Sequence, residues 1–124
     1  MAIGSTVRKW FASKYGETNN KTYTSKYYLP EESWPRVAVW WMKIPSHALD
    51  SSKYDFVNIL CQVDPLSKEF YYLKIPVSFI NEHKEQFHKI GGEIDLYLSA
   101  EQQNLFTEIR GQGKLDFSKF LIEL

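Results

Sequence analysis

The sequence predicts an α+β fold: a small mixed or antiparallel sheet of four to five strands, in the order α-β-β-β-α-β-α-α, covered by helices. Three observations lead there. Apolar residues recur at helical spacing near both ends and past the middle of the chain, runs of β-branched and aromatic residues lie between them, and Gly or Pro marks most junctions. The 124 residues suffice for one core, so residues 1–124 are read as a single domain. Four Trp, eight Tyr and eight Phe make ring packing the main source of apolar contact in that core.

The first element is read as a helix, with Ser5 or Thr6 as cap, Val7, Trp10, Phe11 and Tyr15 as its stripe and Gly16 as its stop. Residues 17–36 are polar and carry Pro30 and Pro35, so they form a long connection with a brief strand over 22–28. A strand over 37–44 ends at Pro45. Its alternation sends Ala38, Trp40, Met42 and Ile44 to one face and Val39, Trp41 and Lys43 to the other. Residues 56–63 and 70–75 flank Asp64-Pro65-Leu66-Ser67-Lys68, the turn chemistry of an antiparallel hairpin. Within it Val57, Ile59, Cys61 and Val63 share one apolar face, and Asn58 and Gln62 lie on the opposite one.

After Pro76 a helix is expected to about residue 90, with Phe79, Ile80, His83, Phe87 and Ile90 near one face and Gly91-Gly92 as its stop. Residues 94–98 alternate as a half-exposed strand, with Asp95 and Tyr97 outward. Ser99 and Gln102 have capping-box spacing and open a helix that turns Leu105, Phe106 and Ile109 inward. A last helix starts at Asp116 and buries Phe117, Phe120, Leu121 and Leu124.

Composition excludes several kinds of chemistry. A single cysteine, Cys61, can make neither an internal disulfide nor a Cys-pair zinc site, and at mid-strand on an apolar face it reads as an inert thiol. No stretch resembles a signal peptide or a spanning helix, so a cytoplasmic protein without membrane association is expected. His83 and His88 are five residues apart and diverge on a helix, and His47 has no visible partner, so no metal is assigned. Gly91-Gly92 follows a helix instead of opening one, and Gly111-Gln112-Gly113 lacks a strand-loop-helix context, so neither is a phosphate cradle and no cofactor is assigned.

The α-β-β-β-α-β succession resembles the core of the PD-(D/E)xK nucleases. That resemblance implies a metal-dependent site of strand-end carboxylates with an acidic-x-Lys triplet. The only such triplet, Glu82-His83-Lys84, falls inside an expected helix, and Lys43 has no acid two residues before it. A divergent metal-dependent nuclease would have to use Asp55, Asp64 or Glu69 near the hairpin.

Charge is neutral overall but uneven: seven basic residues stand against three acidic ones up to Pro45, and eight against twelve beyond it. With catalytic constellations set aside, the sequence points to a non-enzymatic interaction module with an aromatic surface bordered by the basic N-terminal segment. Trp34, Trp41, Lys43 and Tyr71 are its candidate binding residues. Electroneutrality favours a protein partner over nucleic acid. A structural subunit that buries apolar patches by self-association is the third reading.

Overall fold

The computed structural model describes residues 9, 11, 13, 14, 21–33, 36–111 and 113–122. It corrects the expected fold class. Among the described residues the chain is mostly β, with seven strands in two sheets, one short helix of defined bounds besides helical residues near the N-terminus, and isolated 3-10 turns, in place of a single sheet covered by helices. The strands are β1 (Lys21–Ser25), β2 (Val39–Ile44), β3 (Phe56–Gln62), β4 (Phe70–Pro76), β5 (Lys89–Ile90), β6 (Glu93–Ser99) and β7 (Leu121–Ile122). One sheet runs β1-β3-β4-β7 and the other β2-β6-β5. All pairs are antiparallel except β1 with β3.

The hairpin of β3 and β4 is built as its turn residues require. Asp64 Oδ1 accepts the Leu66 N–H at 3.0 Å, and the Asp64 carbonyl accepts the Ser67 N–H at 3.1 Å. Three expected helices give way to other structure, each for a definable reason. Past Pro76 the helix spans only Val77–Glu82 and a 3-10 turn follows at Lys84–Gln86. Residues 89–90 then extend as β5, because Gly91 and Gly92 (φ 58° and 84°) turn a two-residue hairpin into β6 instead of stopping a helix.

The Ser99 capping pattern nucleates a single turn. Its hydroxyl accepts the Glu101 N–H at 3.1 Å and donates to Asn104 Oδ1 at 2.6 Å. Phe106, at φ 65°, then reverses the chain, and the Thr107 carbonyl accepts the Ser99 N–H at 2.9 Å. Past Asp116 the chain takes up the open edge of β4, whose backbone groups need partners. Ser118–Phe120 makes one 3-10 turn and β7 pairs with Tyr72 and Leu73. The N-terminal helix reading lies largely outside the described residues; of its stripe, Phe11 is described, helical and buried.

The main core lies between the two sheets. Val57, Ile59 and Cys61 of β3 and Leu73 and Ile75 of β4 join Trp40, Met42 and Ile44 of β2 and Leu96 and Leu98 of β6 in one buried cluster. The other face of the first sheet buries Leu60, Phe70 and Tyr72 with Phe11, whose ring meets Tyr72 edge-on at 4.8 Å. Polar groups on that face are paired: Tyr72 Oη donates to Asn58 Oδ1 at 2.7 Å. Burial pushes the Cys61 thiol far above the usual range, which leaves it without thiolate character. Among the described residues no helix is long and apolar enough to cross a membrane.

The turn conformation carries a testable consequence. Replacing Gly91-Gly92 by Asn-Gly should preserve stability, since both residues remain compatible with positive φ. Ala-Ala should cost at least about 1 kcal/mol per residue in urea unfolding, although open space surrounds both positions. Equal midpoints for the two variants would contradict this account of the turn.

Candidate functional site

Strand alternation gives β2 two unlike faces. Trp40 is 1% exposed in the core, whereas Trp41 and Lys43 project from the opposite side, Trp41 half-buried and Lys43 exposed. Pairing with β6 sets Tyr97 directly across from Trp41 and Asp95 across from Lys43. The free edge of β2 is partly covered by the segment after β1. Tyr28 and Val39 exchange backbone hydrogen bonds at 2.9 and 3.1 Å, and Ser25 Oγ accepts the Trp41 N–H at 2.9 Å.

The result is a contiguous group of three half-buried rings. Tyr28 and Trp41 lie 6.3 Å apart at 66°, and Trp41 and Tyr97 lie 6.1 Å apart at 35°. Lys26 sits 4.8 Å over the Tyr28 ring and the Arg110 guanidinium 5.9 Å over Tyr97, so a cation flanks each outer ring. A hollow of about 270 Å³ is lined by Tyr28, Glu32, Ser33, Val39, Trp41 and Tyr97. A neighbouring one of about 460 Å³ runs from Tyr23 past Lys26 to Lys43 and shares Tyr28 and Trp41 with it.

The central ring is locked from below. Trp41 Nε1–H donates to Asp95 Oδ1 at 2.5 Å, a diagonal contact across the two strands, and Asp95 is 4% exposed. Its other oxygen lies 3.9 Å from Arg110 Nε, and the Arg110 terminal nitrogen donates to His88 Nε2 at 3.2 Å. Because a guanidinium can only donate, this bond requires the acceptor form of that ring nitrogen. Burial, with the Asp95 carboxylate adding to it, raises the Tyr97 phenol above its ordinary range and keeps it protonated.

Beneath Arg110 a second buried carboxylate fixes the loop. Glu108 is 1% exposed and accepts N–H groups from Tyr97 (3.0 Å), Arg110 (3.3 Å) and Gly111 (2.6 Å). Gly111 is required there, because an added Cβ would stand 2.1 Å from the Gln86 carbonyl oxygen. This tether holds the 108–111 backbone against β6 and so sets where Arg110 begins.

The four residues expected to bind are not all in one place. Trp41 and Lys43 share the outer face of β2. Tyr71 stands on the inner side of the other sheet, edge-on to Trp40 at 5.9 Å and to Phe106 at 5.4 Å, at the rim of a separate hollow of about 310 Å³. Trp34 lies outside the described residues. Sequence reasoning passed over Tyr28, Glu32, Asp95, Tyr97 and Arg110. The alternation of 94–98 does turn Asp95 and Tyr97 outward, but their meeting with Trp41 depends on a register that alternation does not encode.

Of the carboxylates of the nuclease reading, Asp64 and Glu69 share the β3–β4 turn, and Asp55 lies away from them. Asp55 precedes β3 and Asp64 follows it, so the length of a seven-residue strand, about 23 Å, separates them. Among the described residues no group of three His, Cys, Asp or Glu side chains could hold a metal ion. Comparison with models of protein families, with curated proteins and with solved structures finds no match to this chain.

Glu108 makes stability pH-dependent. Burial, reinforced by Asp95 and opposed by the three N–H donors, raises its carboxyl above the usual glutamate range. A raised folded-state pKa means the fold favours the protonated form. Its contribution is therefore complete below the ordinary glutamate value of about 4.3 and falls as pH rises through the higher folded value. Urea unfolding followed from about pH 4 to neutral should show this decline in the wild type, and Glu108→Gln should remove it. The variant is also expected to be less stable throughout, because an amide cannot accept all three N–H groups.

Proposed function

We propose that this chain is a non-enzymatic interaction module that takes a segment of a protein partner on the outer face of β2 and β6. The observation that carries the reading is the Tyr28–Trp41–Tyr97 group, with its central indole held by the buried Asp95 carboxylate. Large rings immobilised before binding lose little further entropy on association, and such aromatic anchors dominate the energetics of interfaces. Lys43 borders the rings as an exposed charge able to steer a partner.

A protein partner is favoured over nucleic acid by the charge pairing around these rings. Lys26 is matched by Glu32 at 3.1 Å, and Arg110 faces Asp95, so little uncompensated positive charge is offered to a phosphate backbone. A cytoplasmic setting is supported by the absence of any cysteine pair that could form an internal disulfide, Cys61 being the lone cysteine.

Peptides selected from a random displayed library against the whole protein provide the test, with affinities read by fluorescence anisotropy. Trp41→Ala and Tyr97→Ala should each weaken the selected peptides about tenfold or more, the scale of an interface hot spot, while Tyr71→Phe changes little. Peptides that bind these variants as well as the wild type would overturn the reading. Single-stranded oligonucleotides that bind more tightly than any peptide, and depend on Trp41, would replace it with nucleic-acid binding.

A further inference from the structure

We propose that the hollow among Tyr28, Trp41 and Tyr97 is a cage for one cationic side chain, lysine or arginine or their N-methylated forms, carried on the protein segment that crosses this face. The proposal rests on the interaction reading above and names the chemistry of its anchor. Three aromatic rings at 6.3 and 6.1 Å spacing line the hollow, and aromatic faces carry the negative lobe of the ring quadrupole. At about 270 Å³ it falls below the range of drug-sized sites and suits a single side chain.

Among the described residues, Glu32 is the only charged one in that lining. The Leu29 N–H, donated to Glu32 Oε1 at 3.0 Å, and then Lys26 hold its carboxyl below the usual range, so it is an anion at neutral pH. A neutral aliphatic group seated here would strip water from a carboxylate whose partners are Lys26 and the Leu29 N–H, whereas a cation replaces that water with a further charged partner. The same rings already attract cations within the chain. Lys26 lies over Tyr28 and Arg110 over Tyr97, and neither is among the residues lining the hollow. Their own charges are matched by Glu32 and Asp95, which limits repulsion of an incoming cation. The Lys26–Glu32 pair is exposed on both sides, at 44% and 39%, and can open to share Glu32 with a ligand at little cost.

The test uses three short peptides that differ at one position: lysine, trimethyllysine, and the uncharged carbon isostere of trimethyllysine. Binding is followed by calorimetry and by the NMR signal of the Trp41 indole N–H. The trimethyllysine peptide should shift that signal saturably and bind about fivefold or more tightly than its isostere, which has the same shape without the charge. Glu32→Gln should weaken the charged peptide about threefold and leave the isostere unchanged, and Tyr28→Ala should weaken the charged peptide by more. These two variants carry the test because Trp41→Ala also strips Asp95 of its donor. Equal affinity for charged and uncharged peptides, or no response of the Trp41 signal, would overturn the cage. Library-selected peptides that need Trp41 but contain no cationic anchor would overturn the cage and leave the interaction surface standing. Peptides indifferent to Trp41 would remove both.

Discussion

The indole of Trp40 stands on β2 of one sheet and donates its N–H to the Gln62 carbonyl at the end of β3 in the other, at 2.7 Å. The same ring stacks on Phe106 at 5.2 Å and meets Tyr27 and Tyr71 edge-on at 6.0 and 5.9 Å. It is thus in contact with both sheets, with the segment that follows β1, and with the reversal after β6. Deleting a buried Trp of this kind costs about 3–5 kcal/mol, a large share of the 5–15 kcal/mol that a domain has. Gln62 extends the link, since its side chain accepts the Tyr27 N–H at 2.9 Å and donates to the Ser67 carbonyl at 2.9 Å, tying the β3–β4 turn to the same junction.

With Trp40 committed to the interior, the pleat turns Trp41 outward, and the two adjacent tryptophans divide structure from candidate function. Rigidity on the outer face comes from buried acids. Asp95 holds the Trp41 indole, and Glu108 gathers three backbone N–H groups from β6 and the following loop. Both acids sit almost out of water, which is costly unless every acceptor is used. These tethers are why the ring group, in place of the larger hollows, carries the proposed function.

How much of this was legible in the sequence differs between fold and site. Alternation alone separated Trp40 from Trp41 and put Lys43 beside Trp41, because period 2 is a local property of a strand. Tyr71 was equally legible as a strand residue, but which of its two faces looks toward the second sheet is decided by what packs there. Tyr28, Glu32, Asp95, Tyr97 and Arg110 come from three separate stretches of chain, and only the β2–β6 register and the crossing of 25–28 over the β2 edge bring them to Trp41.

The sequence by itself determined the β3–β4 hairpin, the two-faced character of β2 and β6, and an inert Cys61, since turn chemistry and alternation act between near neighbours. Tertiary structure alone decided that the periodic stretches after Pro76, Ser99 and Asp116 would be a six-residue helix, single turns and short strands. Apolar residues spaced three or four apart can reach a core from a helix or from a chain that doubles back on itself, and local spacing does not distinguish them. Here the open edges of β4 and β6 and the positive φ of Gly91, Gly92 and Phe106 settled the matter, because backbone groups at a sheet edge gain more from a partner strand than a short, unsupported helix gains from its own turns.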